Sequence, residues 1–170
     1  MVNITVSLHS DLITAQELAY TPSGFSCNTI QQEIESQEYG ACTFKLNNKI
    51  VIFRVGKSTP TKVGHFVTLW KRIHNGPITP YHLDDAFDVV IMSVRDDKHF
   101  GQFVFPKRIL EQKNIISTKE KNGKLAIRVY APWIEIESPQ AKKTQAWQNK
   151  YFFEIQPVLD ICKIQLLLGL

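Results

Sequence analysis

Five basic side chains lie within a stretch of the sequence, residues 53–72, that contains no carboxylate. Ammonium and guanidinium groups, together with hydroxyls and backbone amides, are the donors with which proteins bind phosphate. The stretch therefore predicts an anion site, and phosphate is the anion that fits these donors best. The cations are Arg54, Lys57, Lys62, Lys71 and Arg72, and the hydroxyls between them are Ser58, Thr59 and Thr61.

Pro60 decides the local structure of this stretch. Proline has no amide hydrogen, and it disfavours the helical conformation in the residue before it. We expect a strand that ends near Val55, a loop over residues 56–63 and a second strand over residues 64–72. Such a loop would gather the cations at one edge of a sheet. The competing interpretation is a sheet-edge turn whose lysines are only solvated.

The charges are distributed unevenly along the chain. Residues 1–44 contain five of the 16 acidic residues and no Lys or Arg, whereas residues 45–170 contain all 20 basic residues and the remaining 11 acidic ones. This asymmetry predicts a basic face and a polyanionic partner such as nucleic acid, although scattered solvated charges would give the same count. The further candidates for phosphate contacts are Lys107, Arg128, Lys142 and Lys143.

The sequence lacks the motifs of several enzyme and metal-binding classes. The basic stretch lacks the GxxxxGK[ST] pattern of nucleotide triphosphatases, and no HExxH or GxSxG motif occurs. The histidines and cysteines do not have the spacing of a zinc site. The pairs at residues 84–85 and 96–97 offer carboxylates to a divalent metal, but we expect ordinary loop acids there. We therefore predict no metal site and no cofactor.

Trp70 and Trp147 lie beside cations in the sequence and have two interpretations. Large aromatic side chains usually pack in a core, and we favour this role for both. Trp147 also lies one helical turn from Tyr151 and from Lys143, so bases could stack there. A closed aromatic pocket would instead bind a small anion or an amphipathic drug. The sequence predicts only exposed polar roles for Gln102, Gln145 and Gln148.

The length of 170 residues predicts a single domain over residues 1–170. No apolar run is long enough for a membrane span, and residues 1–5 contain no basic region of a secretory signal. Cys27, Cys42 and Cys162 are far apart, which favours reduced thiols and a cytoplasmic protein. We expect no membrane insertion. The sequence leaves the oligomeric state open, with a monomer favoured.

The pattern of apolar residues and turn signals predicts an α/β (α+β) fold, in which helices flank a central mixed sheet. Residues 25–40 can be read as strand or as helix. The apolar segment 158–168 predicts a docked helix, a docked strand or a dimer contact. The other predicted elements are a helix at 10–20 capped by Ser10, a hairpin of strands 41–46 and 49–55 joined by Asn47 and Asn48, strands at 87–94, 100–105 and 125–130, a helix from Pro106 to 112, and a helix from Pro139 to 153 capped by Ser138.

Four segments of the chain, in order, resemble the MepB-like family, which is bacterial. They are the basic stretch with its letters KSTPTKVGHFVTLWKR, GQFVFPK at residues 101–107, RVYAPW at 128–133 and AKKTQAWQ at 141–148. The resemblance implies an α/β fold of the PD-(D/E)XK nuclease kind and suggests nucleic-acid binding.

The same resemblance implies a position for a catalytic lysine, which Lys57 would occupy. The acid expected two residues earlier is replaced by Val55, so the metal site would lack a ligand. Our first hypothesis is therefore a nucleic-acid-binding protein on a nuclease-like scaffold without a complete metal site. The alternatives are a Mg²⁺-dependent nuclease with a displaced acid, from Glu33, Glu35 or Glu38, and a protein that binds a small anion or a drug.

Overall fold

The computed structural model describes residues 7–169. Residues 1–5, on which the expectation of no secretory signal depends, lie outside this range. The strands are β1 (Cys27–Gln32), β2 (Cys42–Leu46), β3 (Lys49–Val55), β4 (Lys57–Thr59), β5 (Lys62–Thr68), β6 (Trp70–Arg72), β7 (Ile78–Pro80), β8 (Val89–Arg95), β9 (Phe100–Pro106), β10 (Ala126–Val129) and β11 (Phe152–Glu154). The helices are α1 (Ser10–Ala15), α2 (Lys107–Gln112), α3 (Pro139–Gln148) and α4 (Ile161–Leu168).

The centre of the fold is a six-stranded sheet in the order β1-β2-β3-β8-β9-β11. Strand β3 runs parallel to β8, and the other neighbours are antiparallel. Successive side chains of a strand point to opposite faces. Phe53 therefore packs with α1 and α4 on one face, whereas Ile52 packs with α2 on the other. The predicted α+β fold, with helices flanking a central mixed sheet, is confirmed.

The predicted hairpin of β2 and β3 is also confirmed. Leu46 pairs with Lys49 across a two-residue turn, and Asn47 adopts a left-handed conformation with φ of 51°. Asparagine is among the few residues that adopt this conformation readily. The strand predicted from the apolar run at residues 87–94 is present as β8, which begins two residues later at Val89 and in which all residues but the last are buried. Covering on both faces explains why this strand shows no alternation of polar and apolar residues.

The basic stretch differs from the prediction, because residues 56–63 are not a loop. Strand β4 turns at Pro60 into β5, and both pair in a three-stranded sheet with the order β10-β5-β4. The predicted strand over residues 64–72 is interrupted at Leu69, which is fully buried and whose amide donates to Leu125 O. Residues 70–72 then form β6, which pairs with β7 in a separate ladder.

The N-terminal helix is present, but its cap was wrongly predicted. His9 caps α1, because its Nδ1 accepts a hydrogen bond from the Asp11 amide at 3.0 Å. A π-helical turn, Gln16–Tyr20, follows α1. The wider turn changes which side chains face inward. Tyr20 is buried, whereas Leu18 is 51% exposed.

Two further helix boundaries differ from the prediction. Ser138 caps α3 as predicted, but the helix ends at Gln148 and Phe152 begins β11. Phe152 and Phe153 pack into opposite cores, which requires a strand and not a helix. Pro106 ends β9 instead of beginning α2. Segment 158–168 contains a docked helix, α4, and the undecided segment 25–40 contains β1 and a 3₁₀ turn at Gln37–Tyr39.

Candidate nucleic-acid interface

The cations of the basic stretch do not form one open anion site, because four of the five are paired with acids of the same chain. Residues 33–38, which we call the acidic segment, supply three of these four carboxylates. Arg54 binds Glu33 at 3.0 Å, Lys57 binds Glu38 at 3.1 Å and Arg72 binds Glu35 at 3.0 Å. The prediction that these cations present a shared, unpaired surface is therefore wrong.

Arg54 is the clearest correction among the predicted phosphate contacts. Its side chain is 1% exposed, and its two terminal nitrogens bind both oxygens of Glu33 at 3.0 Å. The guanidinium also donates to Phe53 O and to the hydroxyl of Tyr81. Burying a charge is costly unless it is paired and hydrogen-bonded. Arg54 is thus an internal ion-pair partner and does not reach a ligand at the surface.

Lys71 and Lys107 converge on the loop before Phe87. Lys71 Nζ donates to the Asp85 carboxylate, and Lys107 Nζ donates to the Asp85 main-chain oxygen. Lys107 Nζ also lies 4.5 Å from the centroid of the Phe87 ring. Both ammonium groups are half-buried in these contacts, so they hold this loop in place instead of extending a basic track.

The β4–β5 hairpin lines a cleft of about 680 Å³ whose charge is mixed. Lys62 and Arg95 line this cleft together with carboxylates of Asp96, Asp97 and Glu135. The predicted hydroxyl ligands Ser58, Thr59 and Thr61 all lie in its wall. The structure therefore brings the hydroxyls and Lys62 together, but it surrounds them with acids as well as bases.

Lys57 lies outside that cleft. Its side chain is 41% exposed, and its ammonium group contacts Glu38 and lies 4.7 Å from the centroid of the Tyr39 ring. Val55, at the position of the expected acid, is an apolar core residue. Among residues 7–169, no group of three or more His, Cys, Asp or Glu side chains is arranged to hold a metal ion.

A second cleft of about 610 Å³ carries only positive charge. We call it the basic groove, and it lies between β10, α3 and the residues that follow α2. Its lining contains no Asp or Glu, and none of its cations forms an ion pair with a carboxylate in the described part of the chain. The cations are Lys113, Lys124, Arg128 and Lys143.

Aromatic rings line the basic groove beside the cations. Trp147 packs against Phe105, with ring centroids 5.4 Å apart, and its half-buried side chain also forms part of the groove wall. Lys113 Nζ lies 5.3 Å from the centroid of the Trp147 ring. Tyr130 is the second aromatic residue of the lining. Trp147 thus packs against the core, as we favoured, and also meets the groove.

Gln148 joins the two walls of the basic groove. Its side chain is buried, and its Oε1 accepts from the Tyr130 amide at 2.9 Å while its Nε2 donates to Arg128 O at 3.0 Å. Strand β10 is an edge strand, so these backbone groups have no neighbouring strand to pair with. Gln145 Nε2 donates a hydrogen bond to Ala131 O, in the loop that follows β10.

Two of the predictions of exposed glutamines are therefore wrong, since Gln148 and Gln102 are both buried. Gln102 accepts a hydrogen bond from the Tyr20 hydroxyl. For α3, one signal was available in the sequence: residues three apart share a helix face, so Gln145 and Gln148 had to point the same way.

Arg128 connects the basic groove to the β4–β5 hairpin. Its Nη1 donates to the main-chain oxygens of Val63 at 3.2 Å and Gly64 at 3.4 Å. Gly64 has φ of 83° and lies so close to Tyr130 that an added Cβ would be 2.7 Å from the Tyr130 ring. Lys142, the neighbour of Lys143 on α3, is exposed but does not line the groove.

Of the phosphate contacts predicted from the sequence, only Arg128 and Lys143 line the basic groove. Sequence reasoning missed Lys113 and Lys124, which follow α2 and precede β10. No helix in the described part of the chain has the length and apolar character to cross a membrane.

Comparisons with known proteins identify the family of the chain. The sequence model of the MepB-like family matches residues 33–154. The crystal structure of MepB superposes with a TM-score of 0.76 at 34% identity, covering 88% of this chain and 99% of that chain. The bacterial homing endonuclease I-Ssp6803I has a TM-score of 0.42 at 16% identity, covering 79% and 86%. No curated protein matches. The chain belongs to the MepB-like family.

Proposed function

We propose that this protein binds nucleic acid in the basic groove. The observation that carries the proposal is the composition of the groove wall, where four cations and two aromatic rings occur without a carboxylate. Phosphates would contact the ammonium and guanidinium groups, and bases or sugars would lie against the rings. The mixed charge of the cleft beside the β4–β5 hairpin makes it a poorer site for a polyanion.

Two of the residues predicted from the sequence, Arg128 and Lys143, would contact phosphates within the groove. Lys62 and Lys142 are exposed cations that would extend the binding surface beyond it. Arg128 is placed to join the two regions, because it contacts the backbone of the β4–β5 hairpin that contains Lys62. Lys71 and Lys107 are occupied by Asp85 and have no direct role in this proposal.

Salt dependence provides the first test. Each phosphate contact releases a counterion, so log K falls linearly with log salt, by about 0.9 per contact on a duplex and about 0.7 on a single strand. Four groove cations would therefore give a slope of about −3.6 on a duplex or −2.8 on a single strand. Fluorescence anisotropy with a short labelled DNA measures this slope. Binding that does not change with salt would contradict the proposal.

A matched pair of double variants locates the site. We expect Lys113→Ala/Lys143→Ala to weaken binding about tenfold or more and to reduce the salt slope by about two. The control, Lys119→Ala/Lys163→Ala, removes the same charge from exposed lysines that lie outside the groove. Equal losses for both double variants would show that net charge alone, and not the groove, is responsible.

A further inference from the structure

The acidic segment projects from the fold between β1 and β2. Its base is closed by the Glu33 amide, which donates to Ala41 O at 3.0 Å. Ile34, directly after this base, is 90% exposed. An apolar side chain that remains in solvent contributes nothing to holding the segment down. The segment is therefore attached to the rest of the protein chiefly through its three carboxylates. Tyr39, the residue directly after it, packs its ring against Phe66.

The three carboxylates reach cations on three different strands. Arg54 belongs to β3, Lys57 to β4 and Arg72 to β6, and these strands come from three separate ladders. Their partners lie within six residues of one another along the acidic segment. The charged ends of these cations therefore all lie along the acidic segment, and the protein's own acids occupy the donors that the cations would otherwise offer to an anion.

The three ion pairs differ in burial. The Arg54 and Glu33 side chains are 1% and 29% exposed, whereas those of Lys57 and Glu38 are 41% and 69% exposed. Arg72 and Glu35 are also open to solvent. Exposed ion pairs contribute little to stability, because water and salt screen them and the side chains lose entropy. The outer part of the acidic segment is thus held weakly, while Glu33 anchors its base.

The backbone conformation at Ser36 also weakens the attachment of the outer part of the acidic segment. Ser36, between the two exposed carboxylates, has φ of 58°. This left-handed conformation is unfavourable for a residue with a Cβ, so the surrounding contacts must offset its free-energy cost. Leaving the docked position would release Ser36 from it.

We propose that a phosphate chain competes with Glu35 and Glu38 for Arg72 and Lys57, so that the acidic segment limits the affinity of a second polyanion surface. Arg72 binds both oxygens of Glu35 through Nε, at 3.0 and 3.1 Å, and a guanidinium presents the same donors to phosphate. This inference shares with the proposed function only the class of ligand.

The test compares two double variants that change the net charge equally. Glu35→Gln/Glu38→Gln removes both exposed pairs, and Glu17→Gln/Glu120→Gln removes two exposed acids that form no ion pair in the described part of the chain. Inorganic polyphosphate and a short labelled single-stranded DNA serve as probes. We expect the first variant to bind both probes about fivefold more tightly than the control. Equal affinity of the two variants would overturn the inference.

Additional variants separate this inference from the proposed function. Adding Lys57→Ala/Arg72→Ala to Glu35→Gln/Glu38→Gln should remove the gain, whereas adding Lys113→Ala/Lys143→Ala should lower the starting affinity and leave the gain intact. A gain that survives loss of Lys57 and Arg72 would overturn the inference while leaving the groove unaffected. Conversely, if the groove variants have no effect on binding, the proposed function is contradicted but the inference about the acidic segment is not. Thermal unfolding confirms that each variant remains folded.

Discussion

The side-chain amide of Gln148 donates a hydrogen bond to the main-chain oxygen of Arg128 at 3.0 Å. The same amide accepts from the Tyr130 backbone, so a buried side chain of α3 takes the place of the strand that β10 lacks. Helix α3 contributes Lys143 to the basic groove, and β10 contributes Arg128. One glutamine therefore fixes the distance between the two walls of the candidate interface.

We expect Gln148→Ala to reduce the free energy of unfolding by about 1–3 kcal/mol, because two part-buried backbone groups would lose their partners. Urea denaturation measures this change. Gln140→Ala, an exposed position on the same helix, is the control and should change stability by less than about 0.5 kcal/mol. Similar values for both variants would show that the backbone of β10 finds water or another partner instead.

The two ion pairs at the ends of the acidic segment should differ in stability. Glu33→Ala would leave Arg54 buried without a carboxylate, and we expect a loss of about 2–4 kcal/mol, below the upper range for buried pairs because Glu33 is partly exposed. Glu38→Ala removes an exposed pair and should cost less than about 1 kcal/mol. Urea denaturation of the two variants measures both. Equal losses would contradict the assignment of Glu33 as the anchor.

Local signals were sufficient to predict much of the fold. The hairpin at Asn47 and the cap at Ser138 depend on neighbouring residues, and the unbroken apolar run of β8 reports burial on both faces. Errors arose where tertiary packing decided the conformation. Phe152 looks like the end of a helix in the sequence, but it becomes a strand because β9 offers a free edge.

The candidate site was harder to predict, because charge pairing acts between distant positions. Glu33 and Arg54 are 21 residues apart, and Glu35 and Arg72 are 37 apart. No periodicity links them, and the acids lie in the segment whose conformation the sequence left open. Lys113 and Lys124 become groove residues only when Gln148 places α3 against β10. The high density of cations in the sequence therefore indicated that the protein is basic, but it did not indicate which cations remain without an acidic partner.

Acid should destabilise the protein in part through His65. Burial, as the largest cause, lowers the pKa of this imidazole; the hydrogen bond to Arg95 O and the Asp96 charge oppose the shift, and the Arg128 charge adds to it. Below its ordinary pKa of about 6.5, the unfolded chain then binds a proton that the folded chain does not. This contribution reduces the free energy of unfolding as the pH falls from about 7 to 5.

Unfolding at several pH values checks this prediction with His65→Gln, since an amide can still donate to Arg95 O. The variant should lose less stability than the native protein over the same interval. His74→Gln changes an exposed imidazole and serves as the control. If His65→Gln retains the full acid sensitivity, other groups account for it.

The alternative of a metal-dependent nuclease depends on Lys57. The expected acid is replaced by the buried apolar side chain of Val55, and the only carboxylate in contact with the Lys57 ammonium in the described part of the chain belongs to Glu38. A metal site of this kind needs acids to hold the ion while a lysine assists the attacking water. We therefore expect no cleavage of plasmid DNA with Mg²⁺ or Mn²⁺, under conditions in which the DNA is bound. Cleavage that requires the metal and is lost in both Lys57→Ala and Glu38→Gln would establish the opposite, with Glu38 as the displaced acid.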